Sequence, residues 1–155
     1  MTKPFDSLYF EDFEMGQKLS SYSRTITETD LVLFCSLVGY HAPLFIDEHY
    51  AKGTRYGGRI IPSSLTASFS TASTEAFFRT SVVAHRSNNN ARFLAPVRIG
   101  DTITTQVEVI GKEDRERPYG VVIFRDTVLN QNGTSVYTVE KTVLIAKRNA
   151  ALDQK

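Results

Sequence analysis

The fold is decided by residues 62–78, which read Pro62-Ser63-Ser64-Leu65-Thr66-Ala67-Ser68-Phe69-Ser70-Thr71-Ala72-Ser73-Thr74-Glu75-Ala76-Phe77-Phe78. Pro62 suits the first turn of a helix, where its missing N–H costs nothing. Nearly every residue after it is small or hydroxylated, and because the helix propensity of Ser and Thr is modest, tertiary packing must hold such a helix. Small side chains also let a sheet approach the helix axis closely. The stretch therefore predicts a helix buried against a curved sheet.

The second half of the chain has the composition of β-strands. Residues 90–94, 102–110, 121–129 and 134–146 are rich in Val, Ile, Thr and aromatic residues. Asn130-Gln131-Asn132-Gly133 favours an antiparallel hairpin between the last two strands, since Asn and Gly tolerate positive φ. Helices followed by a run of strands predict an α+β fold with an antiparallel sheet.

The first half predicts a strand, a helix and an ordered loop. Residues 18–25 alternate as a strand does. Thr27 and Asp30 form a capping pattern ahead of a helix over residues 28–38, which Gly39 ends. Pro43 disfavours helical geometry in the residue before it, so a loop is expected over residues 40–47, with a short helix over 47–52.

Composition predicts one globular domain over residues 1–155. Hydrophobic residues make up 41% and charged residues 23% of the 155 residues. The 18 Lys and Arg are scattered among 17 Asp and Glu, which gives no electrostatic attraction for nucleic acid or anionic lipid. The N-terminal residues lack an apolar signal core, and no run approaches the roughly 20 apolar residues of a membrane span. A cytoplasmic location is expected.

Several kinds of site lack support in the sequence. The histidines His41, His49 and His85 and the single cysteine, Cys35, have no zinc-like spacing, so no metal is expected. Gly57-Gly58 is followed by neither phosphate-loop nor dinucleotide-binding spacing, and no Gly-x-Ser-x-Gly motif is present. Cys35 is expected to be a small buried hydrophobe.

Four segments, taken in order, resemble the MaoC-like dehydratase family, which includes R-specific enoyl-CoA hydratases. Residues 9–16 look like its opening F-x-D-F-x-x-G, and residues 24–30 are similar to its R-T-(I/V)-T-E-x-D motif, which leads into residues 34–39. Gly57-Gly58-Arg59-Ile60 and residues 92–102 complete the resemblance, which spans about residues 9–147.

The resemblance implies a hot-dog fold, in which a long central helix is wrapped by a curved antiparallel sheet. It also implies an acyl-CoA or similar thioester as ligand, with coenzyme A as part of the substrate and no other cofactor. A homodimer or higher oligomer is expected, and a hetero-oligomer with a related subunit that retains the catalytic residues is an alternative.

The loop that carries catalysis in this family departs from its pattern here. Active relatives read approximately G-D-x-N-P-L-H-x-D, whereas this chain reads Gly39-Tyr40-His41-Ala42-Pro43-Leu44-Phe45-Ile46-Asp47. Tyr40 stands at the aspartate position and Phe45 at the histidine position. Hydration of a 2-enoyl thioester needs groups that activate water and protonate the α-carbon, and a phenyl ring can do neither.

Tyr40 and His41 are the remaining candidates for catalysis. A phenol is a weak base at neutral pH, because phenols ordinarily ionise near pH 10. His41 is of the right chemical type but would have to point where its neighbour's side chain normally points. The alternatives for these residues are a pocket-lining phenol and a loop histidine without a role in the chemistry.

Substrate binding is assigned to Ser63, Ser64, Arg59 and Phe45. The resemblance implies that the backbone N–H at position 63, at the start of the central helix, binds the thioester carbonyl, which a helix N-terminus favours. The alternative is that Ser63 and Ser64 only cap the helix and allow close packing. Arg59 either faces a phosphate of acyl-CoA or pairs with a carboxylate, and Asp47 is expected to cap a helix.

Three functions follow from these residues. The chain is a weak or inactive acyl-thioester binding protein of this family, or an active enoyl-CoA hydratase or dehydratase with a relocated acid/base, or a thioesterase on the same scaffold.

Overall fold

The computed structural model describes residues 7–150. Residues 1–6 and 151–155, which belong to the expected domain and include the N-terminal segment used to predict location, lie outside the described residues. Within residues 7–150, no helix is long and apolar enough to cross a membrane.

The helices agree closely with expectation. A 3₁₀ turn, Phe10–Asp12, precedes α1 (Glu28–Val38), α2 (Pro43–Ile46), α3 (Glu48–Lys52) and α4 (Ser63–Glu75). The Thr27 hydroxyl accepts from the Asp30 N–H, and the Asp30 carboxylate accepts from the Thr27 N–H, which confirms the capping pattern of α1. Gly39 ends α1 in the left-handed region, at φ 74°.

Two helical details differ from the prediction. Residues 43–46 form one helical turn instead of a loop, because Pro43 stands at its first position and loses no hydrogen bond there. Helix α4 ends at Glu75 instead of position 78, and tighter i→i+3 bonds from the N–H groups of Phe77 and Phe78 follow it. This turn places Phe78 against the rings of Phe13 and Phe124.

The strands form one antiparallel sheet. Its members are β1 (Lys18–Ser20), β2 (Arg24–Thr25), β3 (Val82–Phe93), β4 (Thr102–Glu113), β5 (Tyr119–Leu129) and β6 (Ser135–Ala146). The order is β1-β4-β5-β6-β3, with β2 paired to β4 off this path. The hairpin between β5 and β6 is confirmed, with Gly133 at φ 75°.

Strand β3 extends well beyond the predicted residues 90–94. Among the strands of residues 7–150 it pairs only with β6, and it is exposed along most of its length. An exposed edge strand need not alternate polar and apolar residues, which is why the polar run before Asn90 gave no strand signal. The pairing with β6 is irregular at three places, and Asn90 has a positive φ of 53°.

Helix α4 lies on the inner face of the sheet, as the hot-dog prediction requires. Leu65, Thr66, Ser70 and Thr74 are its buried residues. The first apolar cluster surrounds its N-terminal end and consists of Ile26, Leu31, Cys35, Ile61, Leu65, Val97, Ile103, Val128, Val136, Tyr137 and Val139. The second apolar cluster lies beyond its C-terminal end and consists of Phe10, Phe13, Phe78, Val107, Val109, Val122, Phe124, Val143 and Ile145.

A buried polar network of Ser70, Thr74, Asp126 and Lys141 joins α4 to β5 and β6. Asp126 Oδ2 accepts from Ser70 Oγ at 2.8 Å and from Thr74 Oγ1, and it forms an ion pair with Lys141 Nζ. Burial lowers the pKa of Lys141, and the negative charge of Asp126 opposes that shift. Asp126 Oδ1 has no hydrogen-bond partner among the described residues.

We expect Lys141→Met to lower the free energy of unfolding by about 3–5 kcal/mol at neutral pH, because it leaves the Asp126 carboxylate buried without a counter-charge. Lys141→Met combined with Asp126→Val is expected to regain most of that loss, since an apolar pair removes the charge together with its partner. Urea denaturation followed by circular dichroism measures both. Equal losses in the single and double variants would contradict this account.

Candidate functional site

The loop after α1 brings Tyr40 and Phe45 together. Because Gly39 adopts a left-handed conformation, the chain reverses and the Tyr40 N–H donates to the Cys35 carbonyl at 3.0 Å. The Tyr40 ring stacks on Phe34, with centroids 6.2 Å apart, and meets Phe45 edge-on at 5.8 Å. The two positions at which the sequence departs from the active family pattern are therefore in direct contact.

The same loop reaches the N-terminus of α4. The Ser64 hydroxyl donates to Tyr40 Oη at 3.2 Å. Pro62 is the N-cap residue and supplies no side-chain cap, so the N–H groups of Ser63 and Ser64, which have no intrahelical acceptor, remain available to an external one. A helix N-terminus favours an oxygen that carries partial negative charge.

Two cavities flank this point. One of about 240 Å³ is lined by Leu31, Val32, Cys35, Ser36, Tyr40, His41, Phe45, Ile46 and Arg59. The other, of about 400 Å³, is lined by Leu44, Phe45, Arg55, Tyr56, Ile60, Ser63, Phe93, Leu94, Ala95 and Pro96. Phe45 borders both, and Ser63 borders the larger one.

His41 is exposed beside the smaller cavity. The structure therefore places it in the same cavity wall as Tyr40 and Phe45, and within residues 7–150 its ring makes no hydrogen bond or ion pair. Its catalytic role stays a prediction, as do the roles of Tyr40, Ser63, Ser64 and Phe45.

Arg59 links α1 to α3 through two ion pairs. Its Nη2 atom lies 2.9 Å from Glu28 Oε2 at the start of α1, and its Nε lies 3.0 Å from Glu48 Oε2 on α3. The hydrogen bonds that Arg59 donates to the carboxylates of Glu28 and Glu48 raise the pKa of Arg59, and the hydrogen bond from the Arg59 side chain in turn holds the pKa of Glu48 below its usual range. Of the two alternatives for Arg59, a contact with a phosphate of acyl-CoA and an ion pair with a carboxylate, the structure shows the ion pair.

Asp47 and Cys35 have the local roles that the sequence predicts. Asp47 Oδ1 accepts from the Tyr50 N–H at 2.9 Å and caps α3. Cys35 is buried, and burial raises the pKa of its thiol.

Sequence reasoning missed Arg55 and Tyr56. The Arg55 guanidinium lies 4.8 Å from the Tyr56 ring centroid and donates to its hydroxyl at 2.7 Å, and both residues line the larger cavity. Both residues directly precede the Gly57-Gly58 segment, and this position was the only indication in the sequence that they belong to the site. Among residues 7–150, no three His, Cys, Asp or Glu residues are grouped so that they could hold a metal ion.

Comparisons with known proteins agree on one family. The model of the MaoC-like domain matches residues 12–131. The (R)-specific enoyl-CoA hydratase of Rhodospirillum rubrum is 35% identical over 140 residues, which cover 90% of this chain and 93% of that protein.

Solved structures agree in the fold. The unliganded R-hydratase PhaJ1 of Pseudomonas aeruginosa superimposes with a TM-score of 0.79 at 26% identity, covering 91% of this chain and 87% of that one. A Mycobacterium tuberculosis protein with a double hot-dog fold superimposes with a TM-score of 0.82 at 21% identity, covering 96% of this chain and 46% of that one. The hot-dog prediction is confirmed.

We expect Arg59→Met to raise the pKa of Glu48 toward its ordinary value, because the hydrogen bond from Arg59 is the main cause of its depression. A carboxyl with a depressed folded-state pKa stabilises the fold above its ordinary pKa, and that stabilisation is lost as the pH falls through the depressed value. Carboxyl NMR titration measures the shift. Lys52→Met is the control, since Lys52 Nζ lies farther away, at 3.9 Å from Glu48 Oε1. A Glu48 pKa that does not change in Arg59→Met would refute the assignment.

Proposed function

This chain belongs to the MaoC-like domain family, and from that premise we propose that it binds an acyl thioester such as acyl-CoA and that, alone, it is a weak or inactive hydratase. The supporting observation is the contact between Ser64 and Tyr40, which sets the Tyr40–Phe45 ring pair beside the first N–H groups of α4, for which the helix itself provides no acceptor. A thioester carbonyl held by those N–H groups would face a phenol and a phenyl ring. A phenyl ring cannot transfer a proton, and phenols are ordinarily poor bases at neutral pH.

Binding does not require the missing groups. The backbone N–H groups of Ser63 and Ser64 and the N-terminal dipole of α4 are independent of the side chains at positions 40 and 45. The cavity that Ser63 borders has aromatic and apolar walls with a few polar groups, as small-molecule sites commonly have. Acyl-CoA binding can therefore persist where hydration is lost.

The second candidate is an active hydratase that uses His41. The observation that favours it is that His41 is exposed and shares a cavity with Tyr40 and Phe45. An imidazole is the side chain most often used as a general base near neutral pH. Under this alternative the proton-transfer role has moved one residue along the loop from position 40.

The purified chain is expected to hydrate crotonyl-CoA far more slowly than an intact family member, since each proton-transfer group is worth about 10²–10⁴ in rate. Introducing Tyr40→Asp and Phe45→His together is expected to restore part of the rate. The assay follows loss of the enoyl-thioester absorbance, and calorimetry with butyryl-CoA measures binding alongside it. Tyr40→Asn with Phe45→Gln is the matched control, because it changes size and polarity without supplying an acid or a base.

Rapid turnover by the unmodified chain would overturn the proposal. Loss of that turnover in His41→Ala would then favour the second candidate, and retention of it would favour neither. Failure of every acyl-CoA to bind would reject the binding function itself.

We further propose that two copies associate along β3, with a related subunit that retains the intact loop as the alternative partner. The supporting feature is the outer edge of β3, which no other strand of the described part of the chain covers, since unpaired strand edges are ordinarily covered. Beside it runs an open groove of about 400 Å³ lined by Ala67, Ser68, Thr71, Ala72 and Glu75 of α4 and by Asn88 of β3. These side chains are mostly small, so a second chain could approach α4 closely.

Sedimentation of the purified chain at micromolar concentration is expected to give the mass of two chains. Ala72→Arg is expected to shift the population toward the monomer, because a long charged side chain would fill the groove. Thr29→Arg adds the same side chain at an exposed position of α1 and serves as the control. A monomeric parent chain would contradict the association.

A further inference from the structure

The larger cavity of the candidate site is lined by one charged side chain, and that charge is positive. Of the ten residues that line the cavity, Arg55 is the only charged one, and Ser63 at the N-terminus of α4 borders the same space. The other walls are mostly apolar or aromatic. The cavity therefore combines a cation with a helix N-terminus, and both favour negatively charged oxygen atoms.

The turn that carries Arg55 is fixed by local hydrogen bonds. Thr54 Oγ1 donates to the Ala51 carbonyl at 2.7 Å and accepts from the Tyr56 N–H at 3.2 Å. The Gly57 N–H donates to the Thr54 carbonyl at 3.0 Å, and Gly57 has a positive φ of 67°, which other residues rarely adopt. Because these bonds hold the backbone on both sides of Arg55, its side chain leaves the chain from a defined position at the cavity wall.

Tyr56 orients the guanidinium of Arg55 without neutralising its charge. Arg55 Nη2 donates to the Tyr56 hydroxyl at 2.7 Å, and the Arg55 Cζ atom lies 4.8 Å from the Tyr56 ring centroid. Within residues 7–150, Arg55 forms no ion pair with a carboxylate, whereas the nearby Arg59 pairs with two. An arginine carries several N–H donors in a planar fork and the bond to Tyr56 uses one of them, so others can bind the oxygens of a carboxylate.

An acyl-CoA can offer this cation two kinds of anion, the phosphates of coenzyme A and a carboxylate at the far end of the acyl group. With the thioester carbonyl at Ser63, the phosphates lie beyond the pantetheine arm, which is about as long as four extended residues, or roughly 14 Å. Arg55 and Ser63 instead border one cavity of about 400 Å³, and a compact space of that volume is shorter than the arm. A carboxylate a few carbons from the carbonyl fits this spacing better than a phosphate does.

We propose that the larger cavity takes an acyl group that ends in a carboxylate, and that Arg55 binds this carboxylate and selects for it. The inference rests on the proposed binding of an acyl thioester at the N-terminus of α4, and it names the substrate class as thioesters of dicarboxylic acids. Arg55 determines specificity, and Tyr56 is a positioning residue that orients the guanidinium. The methyl end of a fatty acyl group would instead remove water from the guanidinium without replacing its hydrogen bonds.

The test is calorimetric titration with acyl-CoA ligands paired by carbon number: succinyl- with butyryl-CoA, glutaryl- with pentanoyl-CoA, and adipyl- with hexanoyl-CoA. Both members of a pair contain coenzyme A and the thioester, so their difference in affinity reports the carboxylate alone. At least one dicarboxylic ligand is expected to bind about tenfold more tightly than its partner, as a hydrogen-bonded pair with a charged group can supply. Added salt is expected to reduce this preference, because Arg55 is exposed.

Arg55→Met keeps a long side chain without the charge, and it is expected to weaken the dicarboxylic ligand about tenfold while changing its partner less than about twofold. Arg55→Lys keeps the charge but not the planar fork, and it is expected to retain part of the preference. Tyr56→Phe removes the hydroxyl that accepts from Arg55, and it is expected to reduce the preference less than Arg55→Met does. Arg117→Met is the matched control, since Arg117 is an exposed arginine in the loop between β4 and β5 and lines neither cavity of the site.

The outcomes distinguish the possible errors. Equal affinity within all three pairs in the unmodified chain would overturn selection of a carboxylate and leave acyl-thioester binding intact. Equal weakening of both members of each pair in Arg55→Met would assign Arg55 to a phosphate of coenzyme A and would overturn the proposal as well. A preference that persists in folded Arg55→Met would show that another residue binds the carboxylate. Absence of binding by every ligand would reject the proposed function and this inference with it.

Discussion

Asp126 Oδ2 accepts hydrogen bonds from Ser70 and Thr74 on α4 and pairs with Lys141 on β6, and these contacts hold the helix against the sheet. They require small hydroxylated side chains on the buried face of α4, because larger ones would keep the helix axis away from β5. The position of α4 then fixes where its N-terminus meets the loop that carries Tyr40. The composition of one helix thus determines both the core and the geometry of the candidate site.

Much of the fold was predictable because its signals are local. The bounds of α1 follow from Thr27 and Asp30 at one end and Gly39 at the other, where each residue satisfies backbone groups within its own turn. Strand β3 was largely missed because an exposed edge places no demand on alternation. Its pairing with β6 is a tertiary contact, which the residue types within β3 do not indicate.

The candidate site was predictable in part. The resemblance identified positions 40 and 45 as departures from the family's catalytic loop. Only the structure shows that the rings at these positions touch and that Ser64 donates a hydrogen bond to Tyr40. The Asp126–Lys141 pair did leave a signal, since each charge stands at an inward position of its strand between two apolar ones. Such a pattern indicates a buried charge without naming its partner, because the pairing of side chains across strands depends on register.

The irregular edge of β3 also bears on how this chain avoids uncontrolled assembly. An endless cross-β ribbon needs a straight edge that repeats identically from one molecule to the next. The three irregularities and the left-handed Asn90 bend the edge of β3 away from that shape. A strand added there must carry complementary bends, which ordinary unfolded segments lack. The shape of the edge therefore selects which strands can pair with it. The edge exposes unpaired backbone groups but does not offer a template for fibre growth.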